Sequence, residues 1–239
     1  MTAGFFVGRQ GEMRSLTREL ERARRIGRMV LVVGEAGIGK SRLLEEFAAR
    51  ERRHAHCLAG RGSPMSTSLP FSVLVEALES RLRRLPATRL QELSGSRLSD
   101  LAHLLPSAAF ALGGVKDPPS RLHVFEALRA LLEALASERQ LVLLLDDLHQ
   151  ADRASWEAIN YLGRNPPAAG VLVVAAIRPD ELFSIPELAA LIATLVKDGL
   201  ASEIRLAPLD ADSVAALARR TLPATTPGDA AAWLYARAR

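Results

Sequence analysis

The chain has 239 residues, is 49% hydrophobic and carries 31 basic against 27 acidic residues, a net charge of +4. That length suits one large α/β domain, or one domain and the start of a second. The single cysteine, Cys57, excludes an internal disulfide framework and fits a reducing, cytoplasmic setting, and no Cys and His spacing reads as a zinc site. The apolar runs Val30–Val33, Leu141–Leu145 and Val171–Ile177 are too short to span a membrane, and the N-terminus lacks the apolar stretch of a signal peptide. Arginine groups such as Arg22, Arg24, Arg25 and Arg28, or Arg50, Arg52 and Arg53, have no interleaved aromatics and no helix-turn-helix pattern. They read as solvated helix faces without direct DNA contact.

In chain order, Met13, Leu16, Leu20 and Ala23 recur at helical spacing and predict a helix over 10–26. Met29–Val33 predicts a strand, and Leu43, Leu44 and Phe47 a helix over Ser41–Arg53. His54–Ala59 reads as a weaker strand, followed by turn-rich GRGSPMSTSLP and helical segments near 70–85, 88–105 and 120–137. Phe125, Leu128, Leu132 and Leu135 form the inward face of the last of these, and Gly113, Gly114, Pro118 and Pro119 precede it. Leu141–Leu145 and Val171–Ile177 are continuous apolar runs, as strands buried on both faces require. Between them Asp152 is placed to cap a helix over Arg153–Leu162, ended by Gly163, Pro166 and Pro167. Pro186–Val196 predicts a further helix, Glu203–Leu206 a short strand, and Asp210–Arg220 a last helix. Strands alternating with helices predict a doubly wound parallel sheet.

The run GEAGIGKS, Gly34–Ser41, fits the phosphate-loop pattern between a strand and a helix. Its glycines let successive N–H groups turn toward phosphate oxygens at the positive end of the helix. Lys40 is expected to reach the β and γ phosphates and Ser41 to ligate Mg²⁺. Asp146 and Asp147 end a buried strand, at the sheet edge where α/β proteins bind ligands. Asp146 is the expected outer-shell partner of Mg²⁺, and Asp147 is expected to orient or deprotonate an attacking water, with a helix cap or turn as the alternative for such acids. Arg178 follows the next strand and is expected either to sense a γ phosphate or to form a loop salt bridge. His149 reads as chemical or simply packed, and Asp152 as the helix cap.

The segments FVGR, GEAGIGKSRLL, LLLDDLHQAD and AAIRPDEL resemble the signal-transduction ATPases with numerous domains, a group that includes MalT-like and large LuxR-type transcriptional regulators. The resemblance runs from Phe5 to about Leu217. It implies an α/β P-loop NTPase with a five-stranded parallel core of the additional-strand type, over 1–209, and the start of a helical lid over 210–239. It implies that Val7, Gly8 and Arg9 border adenine and ribose, that the loop Gly34, Glu35, Ala36, Gly37, Ile38, Gly39, Lys40, Ser41 and Arg42 binds ATP or ADP with Mg²⁺, and that Arg178 is the sensor arginine. The sequence departs from the group at Gln150, where tryptophan is frequent. It also ends at Arg239, before the glycine-asparagine-proline motif that closes over adenine, so it reads as a fragment that binds ATP weakly with little base preference. The expected activity is slow, regulatory ATP hydrolysis in a switch that works with sensor and output domains of its own longer chain and with nucleotide-dependent self-association. A non-hydrolysing nucleotide scaffold and an oligomeric DNA-loading or remodelling ATPase are the alternatives.

Overall fold

Runs of β-branched residues and leucine make the three central strands, and two more polar strands, HCLAGR and SEIR, flank them in one sheet. The computed structural model describes residues 6–66, 69–113 and 119–221. In these residues β1 (Arg28–Val33), β2 (His56–Arg61), β3 (Leu141–Asp146), β4 (Val171–Ile177) and β5 (Ser202–Arg205) pair in parallel in the order β2-β3-β4-β1-β5. β4 lies between β1 and β3, so one inserted strand separates the strand that feeds the glycine loop from the strand that ends in two aspartates. The five-stranded, doubly wound parallel sheet of the additional-strand P-loop type is therefore the fold of this chain.

Strand side chains alternate between faces, and both faces are covered. Val30, Val32, Val142, Leu144, Leu172 and Val174 meet α1 (Gln10–Ala23) and α2 (Lys40–Glu51) through Leu16, Leu20, Leu43 and Phe47. On the other face Leu31, Leu143, Leu145, Val173 and Ile177 meet α3 (Ser72–Leu82), α7 (Arg121–Glu138), α8 (Arg153–Arg164) and α10 (Pro186–Lys197). For that reason β4 is apolar throughout, and β1 and β3 are apolar except for Arg28 at the start of one and Asp146 at the end of the other.

The helical connection between β2 and β3 differs from expectation. The segment near 88–105 is broken into α4 (Ala87–Ser94), a 3-10 turn at Gly95–Arg97 and α5 (Leu98–Leu101), and α6 (Pro106–Leu112) follows it. Gly95, at φ 53, interrupts the helix, and Pro106 supplies a fresh helical start. Gly163 was expected to stop α8 but lies within it. A Cβ there would come within 2.6 Å of Leu195 Cδ2, so its role is close packing of α8 on α10. The structure also adds α9 (Pro179–Leu182), and α11 spans Ala211–Thr221 with Asp210 Oδ1 accepting from Ser213 N at 2.8 Å. Gly114, Pro118 and residues 222–239 of the expected lid lie outside the described residues. No helix among the described residues is long and apolar enough to cross a membrane.

Candidate functional site

The glycine loop joins β1 to α2 at the carboxyl edge of the sheet. Gly37 and Gly39 adopt φ 73 and 101, a region costly for residues with a Cβ. Gly34 is required by space instead: a Cβ would sit 2.8 Å from Ile38 Cγ2. Glu35, Ala36 and Gly37 are exposed, Ile38, Gly39, Ser41 and Arg42 half-buried, and Lys40 buried. Lys40 Nζ donates to the Gly34 and Glu35 carbonyls, both at 2.6 Å, across the loop that it closes. Burial, helped by the Arg178 guanidinium, holds its ammonium below the usual lysine range, against the opposing pull of Asp147, Asp146 and Asp180. Lys40 thus shares one electrostatic neighbourhood with both strand-end aspartates and Arg178.

Arg9 is also buried, and its guanidinium donates to Ile38 O at 3.0 Å and pairs with Glu12 at 3.0 Å. It braces the glycine loop from below. Gly8, at φ 74, packs so closely against Leu209 and Ser213 that a Cβ would meet Ser213 Oγ at 2.4 Å. The half-buried Gly8 thereby touches the segment that opens α11, and Val7 beside it is half-buried as well.

The acidic pair sits where β3 ends. Asp147 is one of two described residues other than glycine in the left-handed region, at φ 47, and its side chain is buried. Such a conformation costs of the order of 1 kcal/mol and is kept only where the surroundings enforce it. They do so through charge: Arg61 donates to Asp147 Oδ2 from Nε at 3.0 Å and from Nη2 at 2.7 Å. Arg178 Nε lies 3.7 Å from Asp147 Oδ1, and His149 Nε2 lies 3.8 Å from the same atom. Burial keeps the His149 imidazole below its usual range, although Asp147 opposes that shift.

No motif in the sequence points to Arg61. It ends the edge strand β2 in parallel register with Asp146, and its backbone N–H donates to Glu76 at 2.8 Å. The one signal for it was register: a basic residue ending the strand beside an acidic strand end.

Asp146 accepts from Asp147 N at 3.0 Å through one carboxylate oxygen. It lines a hollow of about 550 Å³ between α2 and β2 together with Ser41 and Arg61. A hydroxyl and a carboxylate in one water-accessible hollow are hard donors suited to Mg²⁺, which keeps several waters and needs no all-protein cage. Among the described residues no group of three or more His, Cys, Asp or Glu forms such a cage.

Asp152 is the helix cap foreseen in the sequence and more. It accepts from Ser155 N and Oγ at 2.9 and 2.6 Å, and from Phe71 N, Ser72 N and Ser72 Oγ at 2.8, 2.9 and 3.0 Å. Burial disfavours its charge, but these donors outweigh burial and hold the carboxyl below the usual range. It locks the start of α8 to the start of α3. Asp152→Ala is expected to destabilise the fold by about 2–4 kcal/mol, since it removes a cap and strands several buried donors. Urea unfolding of the two proteins checks this, and a midpoint unchanged at the same slope would refute it.

A strand, glycine loop and helix with an acidic strand end two positions away across one inserted strand define a P-loop NTPase. The sequence pattern of the AAA ATPase domain family matches residues 6–174, and the chain belongs to that family. An uncharacterized protein of Rhizobium meliloti (strain 1021) is 30% identical over 168 residues, covering 64% of this chain. The chain spans 16% of the length of that curated relative. The crystal structure of Cdc6p from Pyrobaculum aerophilum is similar at a TM-score of 0.52 and 15% identity, over 93% of this chain and 52% of that one. A RuvB mutant of Thermotoga maritima is similar at a TM-score of 0.45 and 13% identity, over 90% of this chain and 51% of that one. At 15% identity the likeness to Cdc6p is one of fold.

Proposed function

We propose that this chain is the ATP-driven switch module of a signalling or transcriptional regulator of the LuxR-type class, with slow hydrolysis that resets it. The observation that supports this best is the gathering of Lys40, Asp146, Asp147 and Arg178 around one loop at the carboxyl edge of β1, β3 and β4. In this reading Gly34 to Arg42 would cradle the phosphates, Lys40 would hold the β and γ phosphates, and Ser41 and Asp146 would hold Mg²⁺. Bound Mg²⁺ supplies neutralisation of phosphate charge. Asp147 accepts the proton of the attacking water, and Arg178 leaves Asp147 for the γ phosphate, so the sensor reports which nucleotide is bound. Val7, Gly8 and the backbone at Arg9 border the base.

Residues 1–209 then form the core, and 210–239 begin a helical lid whose first turn already meets Gly8. Sensor and output domains of a longer chain, and nucleotide-dependent self-association, would convert this local change into a signal. Asp146→Asn tests the metal assignment. It is expected to weaken Mg²⁺-dependent ATP binding by about tenfold, the worth of one charged contact of roughly 1.4 kcal/mol, while binding without Mg²⁺ is unaltered. Calorimetry with and without Mg²⁺ reads both, and equal Mg²⁺ dependence in parent and variant would remove Asp146 from the metal site.

A further inference from the structure

His149 lies on the 3-10 turn Leu148–Gln150 directly after the acidic pair, and only 3% of it is exposed. Neither ring nitrogen has a hydrogen-bond partner among the described residues, and the buried Nε of Arg178 has none either. A buried polar group left unsatisfied forfeits its hydration with no return, so an imidazole that only filled space here would be outperformed by leucine. Both orphaned groups converge on the same atom, Asp147 Oδ1, from 3.8 and 3.7 Å, while Oδ2 is already held by Arg61. The turn that presents His149 is fixed: Gln150 N donates to Asp147 O at 2.8 Å, and Trp156 Nε1 donates to Leu148 O at 2.9 Å. Two donors therefore face one acceptor, and neither is within hydrogen-bond distance of it.

We infer that His149 is a positioning residue for Asp147, which donates its Nε2–H to Oδ1 once Arg178 swings away to a bound nucleotide. This rests on the roles proposed above for Asp147 and Arg178. Without His149, departure of Arg178 would leave Oδ1 of a buried carboxylate with no donor and the group free to rotate about its Cβ–Cγ bond. With it, both oxygens keep a partner, and the carboxylate presents a constant face to the water. The neutral imidazole maintained by burial carries the one proton that this requires.

Two variants separate this role from packing. His149→Leu keeps the volume and removes the donor, and His149→Gln restores a donor. The expected result is that the leucine variant melts no lower than the parent, binds Mg·ATP with unchanged Kd and hydrolyses it at least tenfold more slowly in a single turnover, with most of the rate recovered in the glutamine variant. A leucine variant that turns over at the parental rate overturns the inference. Imidazole ¹⁵N NMR tests the contact without turnover or nucleotide. In Arg178→Ala the His149 Nε2–H resonance is expected to move downfield from its parental position as the ring engages Oδ1. No movement, or a ring protonated on Nδ1 alone, overturns the inference. A parent that binds ATP and never hydrolyses it, with the NMR shift present, would instead reject the hydrolytic role of Asp147 and leave the contact standing.

Discussion

Lys40→Ala is expected to remove measurable ATP binding while the fold survives. In the structure Lys40 is buried and, among the described residues, its Nζ donates to two carbonyls of the glycine loop itself, so its removal strands no distant described hydrogen-bond partner. With nucleotide bound, the same ammonium is placed to meet phosphate oxygens, and hydrogen bonds to charged groups are worth about 1.5–3 kcal/mol each. Losing one or two weakens affinity by roughly tenfold to several hundredfold or more. Titration calorimetry on the two proteins reads the difference, with circular dichroism to show that the variant is folded. Equal affinities would defeat the assignment of the loop.

Asp147→Asn is expected to leave ATP binding intact and to lower hydrolysis by about 10²- to 10⁴-fold, the usual worth of a positioned general base. The amide keeps the shape and can still accept from Arg61, but it lacks the basic oxygen. Its left-handed backbone favours the exchange, because asparagine tolerates that region better than most residues. Single-turnover rates and nucleotide affinity measured together check this, and an unchanged rate would move the base elsewhere.

What the sequence revealed of this site divides by the range of the contact concerned. The phosphate loop was legible because eight consecutive residues must present the backbone to one ligand, and Asp146 and Asp147 were legible because a buried strand announces where it ends. Asp152 is readable as a cap because Ser155 lies one turn away, but its ties to Phe71 and Ser72 cross 81 and 80 residues and are not. The same holds for Arg61, which meets Asp147 across 86 residues through the β2 to β3 register. Arg9 was placed near the base by resemblance, whereas its guanidinium is spent on Ile38 O and Glu12, a choice between partners that no spacing encodes. Gly163 has the look of a helix stop because glycine usually punctuates, yet it lies within α8, where the close approach of the Leu195 side chain favours a residue without a Cβ. The helices between β2 and β3 were partly misjudged, since apolar spacing continues through Gly95 even though the backbone does not.

As a switch, this loop and acidic pair must hydrolyse ATP as well as hold it. A single-turnover experiment with limiting γ-labelled ATP, excess protein and Mg²⁺ tests that most directly. Slow, Mg²⁺-dependent release of labelled phosphate from the parent chain, above the rate in buffer and above that of Asp147→Asn, is the expected result. ATP that stays bound to the parent without phosphate release beyond the buffer rate would contradict it and leave a nucleotide-holding scaffold.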